Sequence, residues 1–388
     1  MVNKYALVID FNNMAYRALF TCKYGNSDIN DFSTEFELGI FARKVMTDIA
    51  MLVSTMHPSE VYVAVDEKHP WRGKLYPTYK GTRKRDESVN WDNIYGVFND
   101  VIGILSKNGY MTIQLPNTEA DDIASMVKAK MVERGDTSIV FVSSDADWQQ
   151  LIDFEQDTKQ FFAVYNPITN NKGQRKFFVT EDMHAWLVRR AGIFDKESPI
   201  KNIILNWLNH DPKIVIENQN PDKVLLTKIM CGDDGDNVPS FYEHLNKSGK
   251  KVRVTEKKMD KIFESCGIPT NIHELKDRVD DGSLKRALCG VFKVDTDIEN
   301  LDYTIRLNRQ RLYVELDPTI FPKDVVDAFD KRFNEINESR TTYFVNTDVV
   351  GMSKGTRFEK AHVASERGAK LNSIFKNLID RPVITIKI

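Results

Sequence analysis

This chain of 388 residues has few cysteines, no long apolar run and almost no net charge. The four cysteines lie far apart and form no Cys-x-x-Cys pair, which argues against a zinc ribbon or a disulfide framework and favours a reducing compartment. No run approaches the roughly 18 apolar residues of a membrane helix, and no apolar leader precedes the first strand. We therefore expect a cytoplasmic protein without a membrane partner. The net charge of −2 indicates no class of partner.

Short apolar stretches that alternate with helical stretches are the main pattern of the first half of the chain. Buried strands are expected at Tyr5–Ile9, Glu60–Val65, Met111–Leu115 and Ser138–Val142, and a helix is expected from about 119 to 134. This order predicts an α/β fold with a mainly parallel sheet flanked by helices. The later part of the chain is predicted to be mostly helical.

Three of the expected strands end on an aspartate, namely Asp10, Asp66 and Asp145. In open α/β sheets, binding sites lie outside the carboxyl ends of the strands, so these side chains should approach one another. An aspartate after a strand is also a common turn former or helix cap, and that interpretation is preferable for any one of them alone. The three together favour a shared site.

Basic residues are concentrated in two stretches, Lys68–Arg85 and Lys247–Lys261, each with seven Lys or Arg residues. The first stretch contains no acidic residue and three aromatic residues, a mixture typical of phosphate contacts and base stacking. A solvated surface is the alternative interpretation, especially for the second stretch. The residues that we assign to nucleic-acid binding are Tyr79, Lys84, Lys247, Lys250, Lys251, Lys257 and Lys258.

Carboxylates form the chemically most suggestive set. The nine candidate metal ligands are Asp10, Asp66, Glu119, Asp121, Asp122, Asp145, Asp147, Asp233 and Asp236. Such a group would repel itself strongly without cations, and oxygen donors without histidine or cysteine select hard ions. We expect two Mg²⁺ ions, with Mn²⁺ as a substitute, which together can activate a water and stabilise a leaving oxygen at a phosphodiester.

Each acidic cluster also has a simpler explanation when it is considered alone. The acids of 119–122 can complement a helix dipole, and Asp145-x-Asp147 also occurs in haloacid-dehalogenase-like phosphatases and calcium loops. The stretch 232–237 resembles a turn, without the spacing of a calcium-binding loop. Only the ordered set, with the basic stretch between its second and third members, favours one catalytic site.

The ordered set resembles the 5′-nuclease superfamily, which includes flap endonucleases, the 5′-nuclease domain of bacterial DNA polymerase I and, in particular, bacteriophage ribonuclease H-type 5′→3′ exonucleases. The matching segments are 8–12, 65–66, 71–72, 79–83, 119–122, 143–147 and 232–239. This resemblance implies a PIN-like core with a basic arch. It also implies metal-ligand roles for the nine carboxylates, and catalytic roles for Lys80, Arg72 and Arg83 in the arch. Lys80 resembles the arch lysine that approaches the scissile phosphate.

Two departures from the family pattern affect the expected domains. The basic stretch 247–261 stands where the family has a glycine-rich hairpin, and an insertion at about 181–221 delays the last acidic pair. We expect a nuclease core at 1–240, with the arch at about 67–95. A helical duplex-binding region (a modified helix–three-turn–helix) is expected at 237–338 and a basic tail at 339–388.

The resemblance implies a magnesium-dependent, structure-selective 5′→3′ nuclease that acts on flaps, nicks and RNA primers in DNA replication or repair. Its expected partner is DNA or an RNA–DNA hybrid with a 5′ end or flap. Candidate protein partners are a single-strand-binding protein and a sliding clamp. If the enzyme is encoded by a phage, its expected location is the host cytoplasm. The alternatives are a PIN-type ribonuclease and a non-catalytic nucleic-acid-binding scaffold of the same fold.

Overall fold

The structure is a computed structural model that describes residues 4–25, 29–188, 199–246, 248–293, 301–339 and 345–359. Within these ranges, none of the helices combines the length and the apolar character needed to cross a membrane.

An eight-stranded sheet forms the centre of the protein, with the strand order β3-β2-β1-β4-β6-β7-β8, and with β5 paired to β6. The strands are β1 (Lys4–Asp10), β2 (Glu60–Val65), β3 (Met111–Gln114), β4 (Thr137–Val142), β5 (Asp153–Phe154), β6 (Phe161–Asn166), β7 (Arg175–Val179) and β8 (Ile214–Asn218). Strands β1 to β4 and β6 pair in parallel, and β7 runs antiparallel to β6. The predicted α/β fold with a mainly parallel sheet is therefore confirmed.

Helices cover both faces of the sheet, because the side chains of β1 alternate between two apolar cores. Leu7 and Ile9 pack with the helices of residues 11–25, 35–56 and 91–107, whereas Ala6 and Val8 pack with those of residues 120–134 and 323–338. The helices up to this point in the chain order are α1 (Phe11–Gly25), α2 (Glu35–Met56), α3 (Trp71–Leu75), α4 (Trp91–Lys107), α5 (Ala120–Arg134), α6 (Glu181–Val188), α7 (Pro199–His210) and α8 (Pro221–Cys231).

The expected insertion at about 181–221 contributes α6, α7 and the edge strand β8, which lies parallel to β7 and extends the sheet. Residues 189–198 lie outside the described part of the chain. The segment therefore continues the α/β pattern instead of forming a separate excursion.

A smaller unit with its own apolar core follows α8. Its elements are the antiparallel hairpin β9 (Glu243–Leu245) and β10 (Lys251–Arg253), and the helices α9 (Glu256–Cys266), α10 (Ile272–Asp280), α11 (Ser283–Phe292) and α12 (Tyr303–Val314).

The next helix, α13 (Lys323–Glu338), does not belong to this unit. Its Phe333 ring stacks on Tyr62 of β2 at 5.9 Å, so the expected helical region 237–338 is divided between the small unit and the main core.

The final described segment, 345–359, contains α14 (Val349–Ser353) and buries Val345, Met352 and Phe358 in the first core. Of the expected basic tail, residues 340–344 and 360–388 lie outside the described ranges.

Candidate metal centre

The carboxyl ends of three neighbouring strands bring the first acids together. Asp10 ends β1 and accepts hydrogen bonds from the Ser143 hydroxyl at 2.7 Å and from the backbone N–H of Asn13 at 3.0 Å. Asp66 follows β2 and accepts from the backbone N–H of Ala120 at 2.7 Å, which ties it to the start of α5. Because β2 and β4 both flank β1, the sheet topology itself places Asp66 and Asp145 on either side of Asp10.

The three acids at the start of α5 point in different directions, since successive helical residues are about 100° apart. Glu119 accepts a hydrogen bond from the Tyr79 hydroxyl at 3.0 Å and forms an ion pair with Lys80. Asp121 accepts from the indole N–H of Trp148, and its burial together with repulsion from Asp145 and Asp147 raises its pKa. Asp122 points instead into the protein interior, toward Arg72.

Asp122 and Arg72 form a buried ion pair beneath the site, with side chains only 0% and 2% exposed. The Arg72 guanidinium reaches Asp122 Oδ1 at 2.6 Å and Glu119 Oε2 at 3.1 Å, and the indole N–H of Trp71 donates to Asp122 Oδ2 at 2.9 Å. The expected position of Arg72 in an arch above the metals therefore needs correction, because this side chain lies in the protein interior. Both carboxylate oxygens of Asp122, a predicted metal ligand, also lie in the interior, where they contact Arg72 and Trp71.

A second acidic group consists of Asp147, Asp233 and Asp236, whose carboxylate oxygens lie within 4.8 Å of one another. Asp147 follows β4, whereas Asp233 and Asp236 belong to the turn after α8. Gly232 (φ +73°) opens this turn, and a Cβ atom there would come within 2.5 Å of the Val238 carbonyl oxygen. The close turn needs glycine, and it aims both aspartates at the end of β4.

The segment between β2 and α4 closes against this turn. The backbone N–H of Lys80 donates to the Asp236 carbonyl at 2.9 Å, and Asn237 Nδ2 donates to the Thr78 carbonyl at 2.9 Å. The Tyr79 hydroxyl, buried with its ring, also contacts Asp236 Oδ2 at 3.0 Å. Arg83 forms an ion pair with Asp236. The arch that the resemblance implies is thus an anchored segment here, and it places Lys80 beside the acids.

The electrostatics of the site indicate a shortage of positive charge. Burial, followed by repulsion from Asp66, raises the pKa of Asp10 to about 8. Burial also raises the pKa of Asp147 to about 7 in spite of Lys228, and burial together with Asp145 raises that of Asp121 well above its ordinary value. Oxygen-only donors with such mutual repulsion fit hard divalent cations.

The structure thus brings eight of the nine predicted acids together at the strand ends. The ninth, Asp122, lies on the inner side and is joined to Glu119 through Arg72. Sequence reasoning missed Lys228, whose ammonium contacts both Asp147 and Asp233. A lysine five residues before an acidic pair, near the end of a helix, was the available signal. It also missed Ser143 and Trp148, which orient Asp10 and Asp121.

The second basic stretch forms the hairpin β9–β10 and the start of α9, and Lys250 and Lys257 are exposed there. Lys251 pairs with Glu243 at 2.9 Å, whereas the Lys258 ammonium donates to the Arg253 carbonyl at 3.0 Å and lies over the Phe292 ring. Lys247 lies outside the described residues. In the first basic stretch, Lys84 is exposed. Lys258 is therefore the least available of these lysines for an external phosphate.

Comparison with known proteins gives a consistent result. A family model described as "5'-3' exonuclease, N-terminal resolvase-like domain" matches residues 5–183. A 5′-3′ exonuclease of Mycoplasmopsis pulmonis is 22% identical over 331 residues, which cover 84% of this chain and 91% of that protein. A DNA polymerase I of Streptococcus pneumoniae is 23% identical over 266 residues, 68% of this chain but only 25% of that enzyme.

Among solved structures, a bacteriophage T5 flap endonuclease in complex with DNA and metal ions aligns with a TM-score of 0.53 at 19% identity, and covers 87% of this chain and 100% of that one. The fold is therefore that of the 5′-nucleases, a class of phosphodiester-hydrolysing enzymes. Residues 5–183 match the model of the 5′-3′ exonuclease N-terminal domain family, and the resemblance to the 5′-nuclease superfamily is confirmed.

Proposed function

We propose that this protein is a magnesium-dependent, structure-selective nuclease that hydrolyses phosphodiesters near the 5′ end of a flap, a nick or an RNA primer. The observation that carries the proposal is the convergence of acids from β1, β2, α5, β4 and the turn after α8 on one edge of the sheet. A binding scaffold would not need this costly concentration of negative charge, because buried carboxylates without cations destabilise a protein.

Two metal positions are proposed within the acidic set. Asp10, Asp66, Glu119, Asp121 and Asp145 would hold the first ion, directly or through water, and Asp147, Asp233 and Asp236 would hold the second. Asp122 would act on this set indirectly, through Arg72 and Glu119. The chemistry that magnesium supplies when bound is activation of water and stabilisation of charge on phosphate oxygens.

The cations of the anchored segment would bind and orient the substrate. Lys80 Nζ contacts Glu119 and lies 3.7 Å from Asp236 Oδ2, so its ammonium stands at the border between the two acidic groups. For a phosphate bound at this place, the Lys80 ammonium would neutralise the negative charge that develops on the phosphate oxygens. Arg83, whose side chain is 55% exposed, would contact the next phosphate along the strand.

The hairpin β9–β10 would hold the duplex. The hairpin lies beside the turn that carries Asp233 and Asp236, because the Arg253 guanidinium pairs with Asp234 of that turn. Its exposed lysines would contact the phosphate backbone without reading sequence. The T5 structure was solved with DNA, and a comparable mode of binding is proposed for this chain.

Cleavage of 5′-labelled flap, nicked and RNA–DNA hybrid substrates, with and without Mg²⁺, tests the proposal. Structure-selective cleavage that needs the cation would support it. Cleavage of unstructured RNA in preference to these substrates would favour a PIN-type ribonuclease instead. Binding of all three substrates without cleavage in Mg²⁺ or Mn²⁺ would favour a scaffold.

A further inference from the structure

The two proposed metal positions differ in how the protein itself neutralises them. Among the described residues, four of the five acids proposed for the first position, Asp10, Asp66, Asp121 and Asp145, form no ion pair with a basic side chain. The fifth, Glu119, pairs with Lys80 and Arg72. The second group is different, because the Lys228 ammonium lies between two of its members and contacts Asp147 Oδ1 and Asp233 Oδ2.

Lys228 is held in this position by the fold. It lies on α8, whose Ile229 and Met230 are buried in the core of the small unit, and its carbonyl accepts the N–H of Gly232 at 2.9 Å where the helix ends. Its side chain is 18% exposed, comparable to the 14% and 19% of its two acidic partners. The ammonium is therefore a fixed part of the site and not a surface group that reaches in by chance.

We propose that Lys228 is a tethered cation that occupies the second divalent position and must be displaced before an ion binds there. This inference rests on the proposed function, since it assumes that Asp147, Asp233 and Asp236 hold a divalent ion. The geometry supports competition, because the ammonium contacts oxygens of two of the three carboxylates that lie within 4.8 Å of one another. Among the described residues, no ammonium bridges two acids of the first position, where Lys80 pairs only with Glu119, so that position should bind its ion more tightly.

The test measures binding of Ca²⁺ to the DNA-free protein by titration calorimetry, so that no turnover is needed. The variant Lys228→Met removes the charge and keeps the length of the side chain. Its weaker Ca²⁺ site should gain about tenfold in affinity, equivalent to about 1.4 kcal/mol, while the tighter site stays unchanged. Lys223→Met, which removes an exposed lysine of the same helix, is the matched control and should leave both sites as in the wild type.

A second readout separates exchange from an ordinary structural role. In chelator, Lys228→Met should unfold at a lower urea concentration than the wild type, because Asp147 and Asp233 lose their cation. Saturating Ca²⁺ should abolish this difference, since the ion replaces the ammonium. A difference that persists in saturating Ca²⁺ would mean that Lys228 is only a structural residue. Lys228→Arg, which keeps the charge, should retain the weak site and serves if the methionine variant does not fold.

Other outcomes overturn the inference or the function beneath it. Equal gains at both Ca²⁺ sites would indicate a general charge effect, and unchanged affinities would refute competition, while the proposed nuclease function would stand in either case. No Ca²⁺ binding by the wild type or any variant, together with cleavage in chelator, would instead refute the metal-dependent function itself.

Discussion

Adjacent substitutions on α5 should affect the stability of the metal-free protein in opposite directions. Asp121→Asn removes a charge that burial and Asp145 disfavour, so the variant should be more stable than the wild type at pH 8 in chelator. Asp122→Asn removes a charge that Arg72 needs, because this guanidinium is 2% exposed and contacts Asp122 Oδ1 at 2.6 Å. The second variant should be less stable.

The size of the second effect follows from the contacts that remain. Breaking a buried ion pair by removing one partner costs about 3–5 kcal/mol. Arg72 keeps Glu119 Oε2 at 3.1 Å, so we expect a loss at the lower end, about 3 kcal/mol. Arg72→Ala, which leaves both acids without this cation, should cost at least as much.

Urea unfolding in EDTA, followed by far-UV circular dichroism, measures both variants. Tryptophan fluorescence is unsuitable, because Trp148 contacts Asp121 and Trp71 contacts Asp122. Equal changes in the free energy of unfolding for the two variants would refute the division of α5 into a metal-facing and an interior-facing acid.

Three further predictions concern activity, binding and pH. Lys80→Ala should slow single-turnover cleavage by roughly tenfold to a thousandfold, with a smaller loss of affinity, whereas the exposed Lys84→Ala should do little; equal rates would remove any special role for Lys80. Reversing the charges of four hairpin-region lysines should weaken duplex binding equally across sequences and lower the log–log salt slope by up to ~0.9 per lost contact, and an unchanged slope would indicate a merely solvated surface. The lysines in that variant are Lys250, Lys251, Lys257 and Lys258. In the metal-free site, the pKa values of Asp10 and Asp147 are raised to about 8 and about 7, so protons compete with the metal ion for these carboxylates. The Mg²⁺ affinity measured by calorimetry should therefore rise from pH 6 to pH 8.5. A flat profile would contradict these shifts.

The same raised pKa values set the sign of the stability change in chelator. A carboxyl group whose folded pKa lies above its unfolded value binds its proton more tightly in the folded state. Asp10 and Asp147 should therefore make the metal-free protein less stable as pH rises from about 4 toward 8.

The sequence was sufficient for the sheet and for the first acids because both depend on local patterns. Strands that read as apolar runs, each ending on an aspartate, can meet only at one edge of a parallel sheet, and Asp10 and Asp66 do so. The remaining acids were found from their order along the chain, and the family resemblance then implied their roles as metal ligands. These parts of the site follow from the chain order alone.

The roles of individual basic residues could not be predicted in this way. Arg72 reads as one cation among seven, and only the packing of α3 against α5 shows that it is buried with Asp122, 50 positions later. The placement of Lys228 likewise depends on α8 meeting the end of β4. A charge pattern shows that a segment is basic, whereas tertiary packing decides which cation faces solvent and which faces a carboxylate.

The most direct test of the central claim is cleavage of a 5′-labelled flap substrate by the wild type and by Asp145→Asn, in Mg²⁺ and in excess EDTA. We predict that the wild type cleaves only with the cation, and that Asp145→Asn loses turnover by orders of magnitude while it still binds the flap. Undiminished wild-type cleavage in EDTA, or wild-type rates for Asp145→Asn, would contradict a metal-dependent nuclease site at the ends of these strands.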